Sequence, residues 1–243
     1  MKLALIGDPV EHSLSPRLHE RFMREAGIDG SYVTIRVSIE SCARTIARLR
    51  EDGFTGCNVT YPLKEEAARS CVRLTQEAEL AGCVNTMLFG PEVLGTNTDG
   101  LGARLALEAI LDESVSLKRV GVLGTGATAR ALLAQLQEND AYAFVWGRDA
   151  GKVATLCERY EAGAWPHARA PEAVVNTLPP GIELPGDLRR SLRHVDVIMD
   201  ANYGDRAVLG KALGREVIPG DAMLEAQARA SFDFWLAHTE HVA

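Results

Sequence analysis

Two rhythms of apolar spacing alternate along the chain. Short runs rich in Val, Ile, Leu and aromatic residues predict strands at Lys2–Ile6, Tyr32–Val37, Phe54–Thr60, Val84–Leu88, Val120–Leu123, Ala141–Trp146, Ala173–Asn176 and Val195–Met199. Between them the apolar positions recur at helical spacing. In Pro16–Ala26, Leu18, Phe22 and Ala26 share one face; in Ile39–Glu51 the stripe is Cys42, Ala43, Ile46 and Leu49. Ser15 is placed to cap the first helix, with Pro16 at its first position, where a missing N–H costs nothing. Gly100–Leu111, Thr128–Glu138 and Asp221–Ala237 complete the predicted helices. Strands alternating with helices predict an α/β protein with mainly parallel sheets.

Two breaks in this pattern argue for two domains. After the helix at Gly100–Leu111, Lys118–Gly124 opens a fresh strand that runs into a glycine loop; a second break falls at Ile218–Gly220, before the last helix. The expected division is one domain of residues 1–101 plus 219–243, with residues 102–218 as an insertion.

Composition narrows the function classes. The 243 residues carry 26 Lys plus Arg and 33 Asp plus Glu, a net charge of −7. That balance leaves no excess of positive charge for nucleic-acid phosphates or an anionic membrane. Lys2 is followed only by Leu3–Ile6 before Gly7 and Asp8, too short for a signal-peptide core, and no apolar run approaches a membrane span. The five cysteines, Cys42, Cys57, Cys71, Cys83 and Cys157, form no C-x-x-C pair, which argues against a zinc cluster and suits a reducing cytoplasm. His167, His194, His238 and His241 are scattered without ligand spacing, so no metal site is predicted.

The strand Val120–Leu123 runs into Gly124-Thr125-Gly126-Ala127-Thr128-Ala129 and then a helix. This is the spacing of a dinucleotide-binding loop with Ala in the third position. Gly124 permits the turn, Gly126 lets backbone approach a pyrophosphate, and the helix N-terminus supplies N–H groups and partial positive charge. A glycine turn between any strand and helix is the plainer reading; the following strand, Ala141–Trp146, favours nucleotide binding. That strand ends in Gly147-Arg148-Asp149, with Lys152 one turn on. Arg148 and Lys152 favour the 2′-phosphate of NADP over NAD. Asp149 either favours the free ribose of NAD or caps the next helix.

Four segments in the first hundred residues are dense in short polar side chains: Gly7–His19, Gly56–Lys64, Gly82–Met87 and Gly95–Gly100. Ser13 and Ser15 stand two apart, so an extended backbone would point both hydroxyls the same way. Each segment alone reads equally as turn chemistry. Lys64 alone reads as a surface lysine, and His12 as a local hydrogen-bonding partner of the serines. Together, Asn58, Thr60, Lys64, Asn85, Asn97 and Asp99 describe a pocket for a small polyhydroxylated ligand. An ammonium beside a carboxylate can move a proton to and from an alcohol oxygen.

The order G-D-P-V-E-H-S-L-S-P, G-C-N-V-T-Y-P-L-K, G-C-V-N-T, G-T-N-T-D-G, G-T-G-A-T-A-R-A, V-V-N-T and M-L-E-A-Q-A with F-x-x-W resembles the shikimate dehydrogenase family over nearly the whole chain. The resemblance implies an N-terminal substrate domain and an inserted Rossmann-like NADP-binding domain. It implies that Ser13 and Ser15 hold a substrate carboxylate, that Thr60 and Asn85 bind ring hydroxyls, and that Lys64 and Asp99 are the catalytic pair. Gln227 would reach the substrate from the last helix and Tyr203 from the other domain. The cofactor candidates are Gly124, Thr125, Gly126, Ala127, Arg148, Lys152 and Gly220. The implied reaction is reversible NADP-dependent oxidation of shikimate by a cytoplasmic monomer or homodimer. The alternatives are a quinate or aminoshikimate dehydrogenase on the same scaffold, or a shikimate-binding protein with little turnover. The departures lie in the cofactor half: Gly124-Thr125-Gly126-Ala127 replaces G-x-G-G, and Gly147-Arg148-Asp149 replaces N-R-T.

Overall fold

The computed structural model describes residues 1–166 and 170–239. His167 and His241 lie outside them. The chain divides into two compact units, Met1–Asp99 with Gln227–Ala243, and Gly100–Ala226. The second boundary falls inside the last helix, Asp221–Thr239, rather than at the Ile218–Gly220 break. The reason is packing: Ala228, Phe232 and Trp235 of that helix belong to the first unit's core.

The first unit contains β1 (Lys2–Gly7), α1 (Ser15–Glu25), β2 (Ser31–Arg36), α2 (Cys42–Glu51), β3 (Gly56–Val59), α3 (Lys64–Arg69), β4 (Arg73–Leu74), α4 (Gln76–Ala81), β5 (Thr86–Phe89) and β6 (Val93–Thr96). Its sheet has the order β2-β1-β3-β5-β6-β4. β1 lies parallel to β2 and β3, whereas β5 is antiparallel to β3 and β6, with Asn58 opposite Thr86 and Thr86 opposite Thr96. β1 is apolar at successive positions because both faces are covered. Leu3 and Leu5 pack with Phe22, Phe232 and Trp235, while Ala4 and Ile6 pack with Ile46, Val59 and Leu63. The Ile39–Glu51 helix is observed as a 3₁₀ turn, Ile39–Ser41, leading into α2.

The second unit follows α5 (Asp99–Leu111) with β7 (Arg119–Leu123), α6 (Ala127–Glu138), β8 (Tyr142–Trp146), α7 (Ala150–Arg159), β9 (Gly163–Ala164), β10 (Ala173–Asn176), α8 (Gly186–Leu192), β11 (Val197–Asp200), α9 (Leu209–Leu213), β12 (Ile218–Pro219) and the start of α10 (Asp221–Thr239). Every strand pair is parallel, in the order β12-β11-β10-β7-β8-β9. This is the doubly wound dinucleotide-binding order, and its direction reverses between β7 and β10. Among the described residues no helix is long and apolar enough to cross a membrane, and no group of His, Cys, Asp or Glu side chains is arranged to hold a metal.

Candidate active site

Topology gathers the polar segments of the first unit at one edge of its sheet. Parallel β1 and β3 end there, so the segments carrying Ser13 and Ser15, and Thr60 and Lys64, leave from the same side. Antiparallel β5 starts there, directly after Asn85, and β6 ends there before Asn97, Thr98 and Asp99. Gly7 is required at this edge, since a Cβ on it would lie 2.3 Å from Thr60 Cγ2.

Lys64 Nζ donates to Asp99 Oδ2 at 2.5 Å, with the two side chains 13% and 8% exposed. The other carboxylate oxygen, Oδ1, accepts from Asn85 Nδ2 at 2.9 Å. The Asp99 backbone N–H donates to Asn97 Oδ1, which fixes the first turn of α5. Asn85 is almost fully committed. Its Oδ1 accepts from the Thr98 N–H and the Thr86 hydroxyl, and its Nδ2 also meets Thr98 Oγ1 at 2.9 Å and Gln227 Oε1 at 3.3 Å. Lys64, Asn85, Asp99 and Gln227 therefore form one connected group.

Ser13 and Ser15 are together, but not by extended alternation. Leu14 is helical, and Ser13 Oγ accepts the Ser15 N–H at 3.2 Å while donating to Ser15 Oγ at 3.1 Å. The capping expectation is corrected accordingly: Ser15 is the first residue of α1 and Leu14 precedes it, so the local hydroxyl acceptor is Ser13. His12 is exposed and its side chain makes no hydrogen bond among the described residues, so it is no partner of the serines.

In the second unit the two candidate cofactor turns are adjacent. Gly124 N donates to Trp146 O at 2.8 Å, and a Cβ on Gly147 would lie 2.6 Å from Thr125 Cγ2. Gly124 has φ +120°, and a Cβ there would meet Thr177 Oγ1 at 2.4 Å. Space above Gly126, the N-cap residue of α6, is open. A pyrophosphate fits this arrangement. The N-terminus of α7 differs: Asp149 Oδ1 accepts from Gly151 N at 2.9 Å and Lys152 N at 3.1 Å, so Asp149 is the helix cap. The Arg148 and Lys152 side chains are exposed. Gly220 is tied inward, donating to Asn202 O and accepting from Leu224 N, with Ala201 O where its Cβ would be. Tyr203 is half-buried at the start of the 3₁₀ turn Gly204–Arg206.

A family model, the shikimate dehydrogenase substrate binding domain, matches residues 5–87. A shikimate dehydrogenase (NADP(+)) of Acidiphilium cryptum is 41% identical over 156 residues, 64% of this chain and 52% of that protein. That alignment spans about half of the relative's length. A shikimate dehydrogenase (NADP(+)) of Methanothrix thermoacetophila is 33% identical over 254 residues, covering 98% of this chain and 93% of that protein. The chain belongs to the shikimate dehydrogenase family. A crystal structure of shikimate 5-dehydrogenase from Thermus thermophilus in complex with NADP(H) and shikimate matches with a TM-score of 0.84 at 28% identity, covering 98% of this chain and 94% of that one.

Within this member of the shikimate dehydrogenase family, sequence reasoning missed the residues that hold the site rather than form it. Tyr32, Thr86, Thr98 and Ser231 are buried and hydrogen-bonded behind Asn58 and Asn85. Tyr32 looks like an ordinary strand aromatic, and Ser231 is a single serine in an apolar helix stripe, so neither carries a signal of its own. Asp200 is also buried, its Oδ1 accepting from Asn176 Nδ2, Asn202 Nδ2 and Asn202 N at 2.8–3.1 Å. It organises the turn that leads to Tyr203.

Proposed function

We propose that the chain catalyses the reversible NADP-dependent oxidation of shikimate to 3-dehydroshikimate. The observation that carries this reading is the enclosed Lys64–Asp99 pair at the polar edge of the first sheet. Bound NADP accepts hydride from the carbon bearing the reacting hydroxyl, and NADPH returns it in the reverse direction. Gly124, Thr125, Gly126 and Ala127 would hold the pyrophosphate, and Arg148 with Lys152 would face the 2′-phosphate.

The chain's own residues bind the substrate and manage its proton. Ser13 and Ser15 present two neighbouring hydroxyls to the substrate carboxylate. Thr60, Asn85 and Gln227 are assigned to its hydroxyl-bearing ring. Lys64 has three N–H bonds and gives one to Asp99, leaving donors for the reacting oxygen. Those donors stabilise negative charge as it develops on that oxygen, and Lys64 supplies its proton in the reductive direction. Asp99 orients the ammonium and accepts a hydrogen bond from the substrate hydroxyl. All five cysteines are free, which suits the cytoplasmic setting assigned here.

Ligand-induced stabilisation tests the reading. A ligand at about 100 times its Kd adds about 2.7 kcal/mol to the state that binds it. Shikimate and NADP should each raise Tm alone. Stabilisation by shikimate but by neither NADP nor NAD would leave a binding protein in place of the enzyme.

A further inference from the structure

A line of buried hydrogen bonds runs from Tyr32 to the catalytic pair, and Asn58, Thr86 and Ser231 along it have no direct role in the proposed chemistry. Tyr32 Oη donates to Asn58 Oδ1 at 2.8 Å. Asn58 Nδ2 lies 3.1 Å from Ser231 Oγ and 3.0 Å from Thr86 Oγ1. Ser231 Oγ and Thr86 Oγ1 are 2.7 Å apart. The Thr86 hydroxyl donates to Asn85 Oδ1 at 2.9 Å, and Asn85 Nδ2 donates to Asp99 Oδ1 at 2.9 Å. Ser231 reaches Asn85 by a second route, since its Oγ is 3.1 Å from Thr98 Oγ1, which accepts from Asn85 Nδ2. Thr86 and Ser231 are both fully buried.

One assignment of hydrogens satisfies the main line. Asn58 Nδ2 donates to Thr86 Oγ1 and Thr86 gives its only hydrogen to Asn85 Oδ1, while Ser231 Oγ accepts from Asn58 and has both Gln227 O, at 3.0 Å, and Thr86 Oγ1 as acceptors for its own hydrogen. Every donor in that line then points toward the Asp99 carboxylate. Such aligned hydrogen bonds polarise one another in a low-dielectric interior. They also fix the Asn85 amide, and through it the carboxylate oxygen that Lys64 does not hold.

We propose that Thr86 and Ser231 are positioning residues for the Lys64–Asp99 pair. Thr86 is the bridge from the third and fifth strands, and Ser231 is the bridge from the last helix. Small displacements of a reacting group cost large factors in rate, so loss of either hydroxyl should appear in kcat more than in substrate binding. The proposal rests on the shikimate dehydrogenase activity assigned above.

The Thr86 hydroxyl can be separated from its packing. Thr86→Val keeps the shape and removes the hydroxyl; Thr86→Ser keeps the hydroxyl and removes the methyl. In the intact protein, with shikimate and NADP, T86V should lower kcat about 10-fold or more. KM for shikimate should stay within about twofold, and T86S should restore most of the lost rate. Ser231→Ala should reproduce the T86V pattern from the helix side and serves if T86V fails to fold by circular dichroism. Wild-type kcat in T86V or in S231A overturns the proposal. Equal losses in T86V and T86S also overturn it, because the methyl would then be the important group, as would a raised KM at unchanged kcat. Wild-type turnover is the control: its absence rejects the activity itself, and the positioning role with it.

Discussion

Lys64 and Asp99 are 35 residues apart in the chain and 2.5 Å apart in space. The meeting follows from strand direction. β3 runs up to the residues before Lys64, β5 returns antiparallel beside it, and β6 runs back up to deliver Asp99 to the same edge. Lys64→Ala should lower kcat by roughly 10²–10⁴, the usual worth of a positioned acid–base group, with a much smaller change in KM for shikimate. Steady-state kinetics check this; a near-wild-type kcat would return Lys64 to the class of ordinary lysines.

The two serines separate by their local roles. Each hydroxyl given to a substrate carboxylate is a charge-assisted bond, so Ser15→Ala should raise KM for shikimate by roughly 10-fold or more. Ser13→Ala should do the same and also lower Tm, because Ser13 Oγ holds the Ser15 N–H at the head of α1. Kinetics and thermal melts of both variants distinguish the roles.

Arg148 and Asp149 are neighbours with different assignments. Arg148 is exposed and available to the 2′-phosphate, so Arg148→Ala should weaken NADP binding by roughly 10-fold or more and leave NAD binding little changed. Asp149→Ala should lower Tm through loss of the α7 cap. Isothermal titration with each cofactor measures the first effect; equal losses for NADP and NAD would make Arg148 structural.

The fold was largely legible because the pattern of apolar positions reflects burial directly. β1 reads as continuously apolar because Leu3 and Leu5 face one layer and Ala4 and Ile6 the other. The short strands β4, β9 and β12 were not legible, being two residues each with no period to detect. Nor was the antiparallel course of β5, since pairing direction depends on partners distant in sequence. Lys64, Asn85 and Asp99 stood out as polar residues at strand ends. Thr86 and Ser231 did not, because a buried hydroxyl is recognisable only once its acceptors are in place. The grouping of Ser13 with Ser15 was legible, but its cause was not. A helical Leu14 brings them together, not an extended strand.

His19 gives a pH signature that is independent of catalysis. Burial among Phe22, Tyr32 and Trp235, with the charge of Arg229 adding to it, pushes the imidazole down from 6.5 to about 3. Between those values the unfolded chain binds a proton that the folded protein does not. Stability should therefore fall as pH drops below about 6.5, by at most about 1.4 kcal/mol per pH unit from this group, and be unaffected by it above that. His19→Gln should flatten this part of the profile in urea melts taken from pH 7 to pH 4. An unchanged slope would assign the acid sensitivity to other groups.

The central claim is that this chain moves hydride between NADP and shikimate using Lys64 and Asp99. The most direct measurement follows the reduced-nicotinamide absorbance, crossing NADP and NAD with shikimate and quinate, for wild type and Asp99→Asn. The account predicts turnover by wild type that is fastest with NADP and shikimate, and turnover far slower in Asp99→Asn although it still binds both ligands. Absence of wild-type turnover with either cofactor, or an Asp99→Asn variant as fast as wild type, would contradict it.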